Sequence, residues 1–391
     1  MKRILILFLS ASLTAPAAAQ YLFDAAQADR LTAAWRAGDE RAVEAVAQAQ
    51  TQAEELLAMT PATVADKTVL PPSGDARDYM TLSPYWWPDP STADGLPYAR
   101  RDGERNPEVY DCPERESADR LGKAARTLGL LYRVTGEERY AAKCAELLRA
   151  WFLDPERGMN PNLTYAQLIR GRKSIRGTGI IDGRRLGYAL CSARLIEASP
   201  AWRAEDRAEL KAWAGAFLYW LEHSVNGRKE FAAANNHGLW YDAIRIMAAS
   251  AAGERERVRE IAERSLAPRF ARQVAADGSL PEELARTLSL HYTTFALEAL
   301  SVARNVALES GYDLWTLPEV QRALAFVAPY YEHPDAWPHR QIKPFERGRG
   351  AALLYEAGQA SGRTEWVEAA RRIGCRDGVP QDVRMICFLV N

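Results

Sequence analysis

Residues 121–136 read LGKAARTLGLLYRVTG. Apolar side chains recur in this stretch at intervals of three and four residues, at Leu121, Ala124, Ala125, Leu128, Leu131 and Tyr132. An α-helix repeats about every 3.6 residues, so this spacing places the apolar side chains on one face. Gly136 follows as a predicted helix end, because glycine readily adopts the backbone conformation found after the last turn. The stretch therefore predicts an amphipathic helix with one buried face.

The same pattern continues along most of the chain. Residues 140–151 and 210–221 repeat the apolar spacing, and further helices are predicted at 25–58, 182–198, 238–251, 256–274, 282–308, 318–331, 348–360 and 363–372. Strand-like alternation is nearly absent. Helix pairs joined by short turns predict an all-α fold, either curved into a toroid or stacked as a solenoid. With 391 residues, 48% of them hydrophobic, the chain is long enough for one large domain.

Charge and cysteine content narrow the functional classes. A net charge of −1 argues against a nucleic-acid-binding protein with a strong overall positive field, although it leaves room for a local basic groove. Five cysteines permit one or two disulfides in an exported protein. The sequence contains no CxxC or HxxxH spacing, so we expect no zinc site of that kind and no cofactor.

The N-terminus has the pattern of a secretory signal. Lys2-Arg3 precedes the apolar residues 4–9, and three alanines at 17–19 come before Gln20. The apolar run is too short to span a bilayer as a mature helix. We expect residues 1–19 to be removed and residues 20–391 to form a single periplasmic or secreted domain, without stable membrane insertion.

Two long non-helical stretches, residues 68–113 and 154–181, interrupt the predicted helices. Loops of this length in a compact domain are usually functional or disordered, and their aromatic content argues against disorder. Their candidate substrate-binding residues are Tyr85, Trp86, Trp87, Asn160, Asn162, Tyr165, Gln167 and Arg176. Aromatic rings of this kind either pack in a core or stack on sugars, and the polar groups either bond within the loop or bind substrate.

A further set of polar side chains lies at Asn235-Asn236-His237, Arg286 and His291-Tyr292. Cleavage of a 4-linked uronic acid by β-elimination requires neutralisation of the C6 carboxylate, removal of the C5 proton and protonation of O4. Amide, imidazolium and guanidinium groups stabilise the charge that develops at the carboxylate, and a tyrosine or histidine moves the protons. We expect Arg286 and His237 to lower the pKa of Tyr292, because an isolated phenol has a pKa of about 10.

Asn235 precedes a predicted helix and is expected to cap it. The positive end of that helix would favour a bound carboxylate near Asn236 and His237. Capping alone also explains the position of these residues, and it is compatible with catalysis.

A capping-box pattern around Pro281 predicts a helix that carries Arg286. In an unbroken helix Arg286 and Tyr292 would lie about 120° apart around the axis. Three interpretations follow: the helix is interrupted near Ser289, the long arginine reaches across, or Arg286 is only an ion-pair partner. His291 is interpreted as a neighbour of Tyr292 rather than as a second base.

These motifs resemble the alginate lyase domain family of bacterial polysaccharide lyases. The resemblance rests on SPYWWPDP at residues 83–90, on residues 160–167, on Asn235-Asn236-His237 and on residues 283–287 with Tyr292. It extends from about residue 78 to residue 342. The loop sequences around Trp86 and Asn162 are similar to the branch of the family that cleaves glucuronan.

The resemblance implies an incomplete (α/α) toroid with a substrate cleft and metal-independent β-elimination of polyuronates. By motif, Asn236 and His237 resemble the residues that neutralise the carboxylate, Arg286 the supporting cation and Tyr292 the proton-transferring phenol. Asn235 and His291 are expected to contact substrate beside them. The partner implied is an acidic polysaccharide, with no nucleic acid.

Two alternatives stay open from the sequence. A glycoside hydrolase on an (α/α) scaffold would need two carboxylates beside the bond, and the sequence offers Asp89, Asp182, Asp242, Glu282 and Glu283. A noncatalytic periplasmic protein would bind polyuronate through the same aromatic and basic residues without forming an unsaturated product.

Overall fold

The computed structural model describes residues 25–173, 176–376 and 379–380. The predicted export signal at residues 1–19 lies outside these ranges, as does Cys387. The α-helices of the described residues are α1 (Ala25–Arg36), α2 (Glu40–Leu57), α3 (Glu114–Thr135), α4 (Glu138–Leu148), α5 (Gly183–Ser192), α6 (Ala204–His223), α7 (Val225–Phe231), α8 (Asn236–Ala251), α9 (Arg255–Ile261), α10 (Ala267–Gln273), α11 (Pro281–Leu284), α12 (Ser289–Ala307), α13 (Pro318–Glu332), α14 (Ala351–Ser361) and α15 (Thr364–Gly374).

The few strands are short. They are β1 (Met80–Leu82), β2 (Trp86–Trp87), β3 (Ala99–Arg100), β4 (Tyr165–Leu168), β5 (Cys375–Arg376) and β6 (Val379–Pro380). β1 pairs with β4 in parallel, whereas β2 with β3 and β5 with β6 are antiparallel pairs. The all-α prediction is therefore confirmed.

The helices form two layers. α3, α5, α8, α12 and α14 pack against one another in that order. Nearly every residue of α8 and α12 is buried, as expected for helices enclosed on all sides. α4, α6 and α15 instead bury one face and cover the inner ring from outside. This arrangement is an (α/α) toroid.

The apolar spacing seen in the sequence identifies the buried faces. In α6 the buried set includes Leu210, Trp213, Ala214, Phe217, Leu218 and Leu221. The ring of Trp213 lies 4.7 Å from that of Phe152 and 5.3 Å from that of Phe217, measured between centroids. Truncating a buried aromatic such as Phe217 to alanine would cost about 3–5 kcal/mol of stability, because it removes apolar burial and leaves a cavity.

Three predicted helices are each divided into two. The predicted helix at 256–274 contains α9 and α10, joined by a π-helical turn at Ala262–Leu266. Residues 25–58 divide at Gly38, whose φ of 76° favours glycine, and Asp39 then caps α2. The predicted helix at 282–308 is interrupted between Leu284 and Ser289. The capping-box prediction is wrong, since Leu280 occupies the N-cap position without a side-chain bond and Pro281 is the first helical residue.

The two long loops are tied together beside the inner ring. The β1–β4 pair joins residues 68–113 to residues 154–181. Asp182 bonds a side chain of each strand: it accepts hydrogen bonds from Thr81 at 2.7 Å and from the side chain of Gln167 at 3.1 Å. The described parts of both loops are therefore ordered parts of the domain rather than free linkers.

Cys112, Cys144 and Cys191 are free and buried. Of the one or two disulfides that the five cysteines permit, only a bond between Cys375 and Cys387 is left, and Cys387 lies outside the described residues. Within the described part of the chain, none of the helices combines the length and apolar character needed to cross a bilayer.

Candidate active site

A cleft of about 960 Å³ opens against the inner ring. Its walls include the first turns of α3, α5, α8 and α12 and the segment before α14. The N-terminal end of a helix carries partial positive charge, so these turns favour an anion. Ten of the lining side chains are Arg or Lys and four are Asp or Glu. The cleft is thus strongly basic although the whole chain is nearly neutral.

Ten of the fourteen predicted site residues line this one cleft. They are Tyr85, Trp86, Gln167, Arg176, Asn235, Asn236, His237, Arg286, His291 and Tyr292. They come from the two long loops, from α8 and its N-cap, from the break before α12 and from α12 itself, which are far apart in the sequence. The fold therefore brings the catalytic candidates and most of the binding candidates together.

The other four predicted residues do not line the cleft. Asn160 and Asn162 donate hydrogen bonds to Asp78 at 2.9 and 3.1 Å, which fixes one loop against the other. The indole of Trp87 donates to a main-chain carbonyl of its own loop. Tyr165 lies in β4 at the β1–β4 pair. We do not include these four in the proposed site, because their contacts stabilise the loops.

His237 is held by a buried acid. The side chain of Asn235 accepts a 3.1 Å hydrogen bond from the main-chain N–H of His237, so the predicted helix cap is confirmed. The Nδ1 atom of His237 lies 2.6 Å from Oε1 of Glu230, whose side chain is only 3% exposed. An Nδ1–H that donates to this carboxylate leaves Nε2 as the nitrogen for substrate.

Asn236 is fixed by a second buried acid. Its main-chain N–H and its Nδ2 donate to the two carboxylate oxygens of Glu283 at 2.6 and 2.7 Å. Both residues are 1% exposed. Burial raises the pKa of Glu283 even though the bonds from Asn236 oppose the shift. Because an ionised carboxylate only accepts hydrogen bonds, Glu283 determines which way the amide of Asn236 points.

Arg286 lies in the break between α11 and α12. Its Nη2 is 2.6 Å from the carboxylate of Asp102, and its guanidinium carbon is 3.6 Å from the ring centroid of Tyr292. Asp102 also accepts from the hydroxyl of Thr287 at 2.9 Å. Burial opposes ionisation of Asp102, but the bond and charge of Arg286 outweigh it and lower the pKa to about 2. The helix is therefore interrupted, as the first interpretation predicted. Arg286 pairs with Asp102 and also stacks on Tyr292, so the ion pair is not its only contact.

A close approach makes that ion pair possible. Gly103 has a φ of 77°, and a Cβ atom there would come within 2.6 Å of the Thr287 hydroxyl. Only glycine combines this conformation with this proximity. The chain after β3 can therefore reach the break before α12 and present Asp102 to Arg286.

The phenol of Tyr292 donates a 2.9 Å hydrogen bond to the hydroxyl of Tyr85. The residue is 6% exposed. Burial and then the neighbouring Tyr85 raise the pKa of Tyr292, and the opposing charge of Arg286 is too weak to reverse the shift. The expectation of a lowered pKa is wrong for the substrate-free protein, since Arg286 is already paired with Asp102. Tyr292 is consequently a neutral proton donor at rest.

Comparisons with known proteins identify the family of this chain. The model of the family described as alginate lyase matches residues 63–337. The chain belongs to the alginate lyase family. It is a polysaccharide lyase. An alginate lyase from Bacteroides ovatus is 32% identical, with a TM-score of 0.85 over 95% of this chain and 99% of that chain.

More distant alginate lyases share the fold. Alginate lyase A1-III from Sphingomonas species A1 is 21% identical, with a TM-score of 0.51 over 75% of this chain and 81% of that chain. A histidine-to-alanine variant of A1-III complexed with a tetrasaccharide is 20% identical, with a TM-score of 0.55 over 86% and 88% of the two chains. No curated protein sequence matches this lyase significantly.

His291 of this lyase lies between an arginine and an aromatic ring. Arg349 bonds its Nδ1, and the ring of Phe295 stacks at 6.3 Å. Burial, and then the charge of Arg349, lower the pKa of His291 to about 4. His291 is therefore neutral near pH 7 and accepts a hydrogen bond from Arg349, which fits a neighbour of Tyr292.

Several cleft residues of the lyase were not found from the sequence. They include Arg126, Arg184, Tyr188, Glu298 and Arg349. Asp102, the partner of the cleft residue Arg286, was also missed. The i, i+4 spacing of Arg184 and Tyr188 places both on one face of α5, but the sequence does not indicate that this face borders a cleft. Among the described residues, no cluster of three or more His, Cys, Asp or Glu is placed to hold a metal ion.

Proposed function

We propose that the mature chain, residues 20–391, is an exported single-domain lyase that cleaves β-1,4-linked polyuronates by syn β-elimination without a metal. Its substrates are mannuronate-rich alginate, glucuronan or both, and its products carry 4,5-unsaturated uronate ends. One observation carries the proposal: His237 and Tyr292 line the same cleft, whose cations outnumber its carboxylates ten to four. A polyuronate is a polyanion, and its cleavage requires removal of one proton and protonation of the leaving oxygen. It therefore matches a basic cleft that contains a histidine and a tyrosine.

The proposed roles follow from the contacts. In the substrate complex the ring of His237 carries a proton on both nitrogens: Nδ1–H donates to Glu230, and Nε2–H donates to the C6 carboxylate of the sugar that loses its C5 proton. Asn236 supports it at the positive end of α8. These donors are fixed before substrate arrives, so they stabilise the enolate-like charge without reorganisation.

Tyr292 is proposed to transfer the protons. Its resting phenol is a neutral donor, which suits protonation of the departing O4. To take the C5 proton, Tyr292 must first release its own proton to water; the phenol that the C5 proton then re-forms donates that proton to the departing O4. Tyr85 accepts the hydrogen bond from Tyr292, and after ionisation the Tyr85 hydroxyl can turn and donate to the phenolate. Arg286, stacked on the ring at 3.6 Å, adds positive charge beside it.

Stereochemistry limits the substrates. D-glucuronate and D-mannuronate both carry H5 and O4 on the same side of the ring and differ only at C2. One tyrosine can therefore serve both sugars in a syn elimination. L-guluronate, the C5 epimer, presents its proton on the opposite face, so we expect slow cleavage. The similarity to the Bacteroides ovatus alginate lyase supports alginate as a substrate, and the loop sequence around Trp86 supports glucuronan.

The contacts of two acidic residues argue against the hydrolase alternative. Asp182 lines the cleft, but it is 1% exposed and bound by Arg115 and Arg185. Burial opposes ionisation of Asp182, yet the two arginines lower its pKa to about 2, whereas a general acid needs a raised value. Glu283 has a raised pKa, but both of its oxygens bond Asn236.

The test is the ultraviolet absorbance of the unsaturated product during incubation with glucuronan, polymannuronate and polyguluronate separately. Wild-type protein, His237→Ala and Tyr292→Phe are compared, each with and without a chelator. Removing a group that transfers protons lowers the rate by about 10²–10⁴-fold. A rise in absorbance that both substitutions abolish, and that the chelator leaves unchanged, is the expected result. A folded wild-type protein that releases no unsaturated product from any polymer would contradict the proposal, and binding without turnover would favour the noncatalytic alternative.

A further inference from the structure

Most arginines of the cleft are already paired with acids. Arg115 and Arg185 pair with Asp182, Arg286 with Asp102, and Arg349 with Glu298. These guanidinium groups hold the walls together, and their charge is largely neutralised before any ligand arrives. These paired arginines therefore stabilise the walls of the cleft and contribute less to its affinity for an anion.

Arg184 and Arg126 differ from these. Among the described residues, neither has a carboxylate within ion-pair distance. Arg184 is the second residue of α5, and its guanidinium carbon lies 5.3 Å from the ring centroid of Phe295 and 5.7 Å from that of Trp240. No hydrogen bond from its guanidinium to a described residue is found. Burial, and then the charge of Arg185, lower the pKa of Arg184, so an added anion beside it would be favourable.

Arg126 lies on the adjacent helix α3. Its guanidinium carbon is 4.7 Å from the ring centroid of Tyr188, and its Nε donates a long 3.3 Å hydrogen bond to the carbonyl of Gly122. Tyr188 follows Arg184 by one turn on α5, so the two arginines flank this tyrosine along one wall. Both side chains are partly exposed to the cleft.

The rings beside Arg184 locate this wall relative to the catalytic residues. Trp240 follows Asn236 by four residues on α8, and Phe295 follows Tyr292 by three on α12. Arg184 therefore contacts rings in the second turn of both helices, one turn beyond the residues proposed to act on the cleaved sugar. That displacement suits a neighbouring sugar of the same chain, and aromatic side chains restrict the arginine to one region of the cleft.

We propose that Arg184 and Arg126 form a second carboxylate-binding subsite, which holds the uronate next to the sugar that is cleaved. The inference rests on the proposed function. A planar guanidinium group can donate two parallel hydrogen bonds to a carboxylate, whereas its interaction with a neutral hydroxymethyl group is weak. The lyase would then select chains in which two adjacent sugars are both acidic.

The test measures binding in the Tyr292→Phe background, so that it does not depend on turnover. Calorimetry gives the Kd of a uronate tetrasaccharide and of the same tetrasaccharide with its carboxyl groups reduced. Arg184→Gln is expected to weaken binding of the acidic ligand about tenfold or more and to leave binding of the reduced ligand unchanged. Arg184→Lys should recover part of the loss. Arg264→Gln removes one exposed charge outside the cleft and should change neither Kd.

An unchanged Kd for the acidic ligand, or an equal loss for the reduced ligand, would overturn the inference. The same two Kd values are measured for Arg126→Gln and judged by the same criteria. If Arg184→Gln does not fold, the result for Arg126→Gln decides the test. With Tyr292 intact, Arg184→Gln should raise KM more than it lowers kcat; a fall in kcat alone would place Arg184 at the reacting sugar and refute the neighbouring subsite. A protein that binds the acidic tetrasaccharide through Arg184 but releases no unsaturated product would refute only the proposed lyase reaction.

Discussion

Tyr292 donates its phenolic proton to the hydroxyl of Tyr85 across a 2.9 Å hydrogen bond. The two residues are separated by 207 positions in the sequence. Tyr85 belongs to the first long loop and Tyr292 to the first turn of α12. The bond therefore connects a loop that lines the cleft to the proposed proton-transfer residue, and it is the basis for the catalytic role proposed for Tyr85.

Tyr85→Phe is expected to lower kcat about tenfold, because the phenolate of Tyr292 would lose a donor worth about 1–1.5 kcal/mol. Tyr292→Phe should lower kcat far more, by about 10²–10⁴-fold. Initial rates of product absorbance at saturating polymer measure both effects. Tyr110→Phe, at a tyrosine that is 54% exposed and does not line the cleft, is the control. A Tyr85→Phe variant with wild-type kcat would show that the hydrogen bond is not used.

Asp102→Asn is expected to release Arg286 from its position over Tyr292. The pKa of Asp102 is lowered from 3.8 to about 2, so its ionised form stabilises the native state above pH 4 and this contribution disappears as the pH falls through 2. We expect the variant to lose about 1 kcal/mol of stability near pH 7. Its kcat should fall by about ten- to hundredfold because Arg286 is no longer fixed.

Denaturant unfolding at several pH values checks the stability of Asp102→Asn, and product absorbance checks its rate. Asp94→Asn, in the same loop, is the matched control, since Asp94 does not line the cleft. A stability difference between wild type and Asp102→Asn that persists unchanged below pH 2 would contradict the assignment of the ion pair.

The helices could be predicted from the sequence because their buried side chains recur every three or four residues, a pattern that is visible in a short segment of the chain. In α6 the apolar positions between Leu210 and Leu221 point to one side whatever the rest of the chain does. The break between Leu284 and Ser289 has no such local signal. It depends on Asp102, which bonds the main-chain N–H and the hydroxyl of Thr287 from 185 positions away.

A site residue could be predicted where a sequence motif indicates its chemistry. It could not be predicted where a residue far away in the sequence determines its contacts. His237 and Tyr292 were found from residue type and resemblance. Asn160 and Asn162 resemble sugar-binding amides in sequence, but the carboxylate of Asp78 takes their donors. Arg184 was missed because nothing in its neighbourhood of the sequence shows that α5 borders the cleft.

Glu283→Gln is expected to change both stability and rate. The native pKa of Glu283 is raised above 4.5, so the native state keeps this proton to a higher pH than the unfolded chain does. The contribution of Glu283 to stability therefore falls as the pH rises above about 4.5. The glutamine variant lacks this decrease, so its stability relative to wild type should improve with rising pH.

The rate of Glu283→Gln should fall about ten- to hundredfold, because a primary amide both donates and accepts and no longer holds Asn236 in one orientation. Thermal unfolding across the pH range and product absorbance provide the two measurements. Glu282→Gln, at the exposed preceding residue, is the control. Equal pH dependence in wild type and Glu283→Gln would rule out a raised pKa at this residue.

Glu230→Gln tests how His237 is held. The carboxylate of Glu230 is 2.6 Å from Nδ1 of His237 and nearly fully buried, so it fixes the ring and keeps the proton on Nδ1. A glutamine there offers either an oxygen or an NH₂ group, and the second forces the ring into the other tautomer or turns it away. We expect kcat to fall about 10–100-fold, the loss typical of removing a partner that orients a functional histidine, with a smaller change in KM. Nitrogen chemical shifts of the imidazole report the tautomer directly, and Glu254→Gln, an exposed residue outside the cleft, serves as control. If the tautomer of His237 shifts while kcat is retained, the bond from Nδ1 to Glu230 is not needed for catalysis; if neither changes, Glu230 is not its positioning residue.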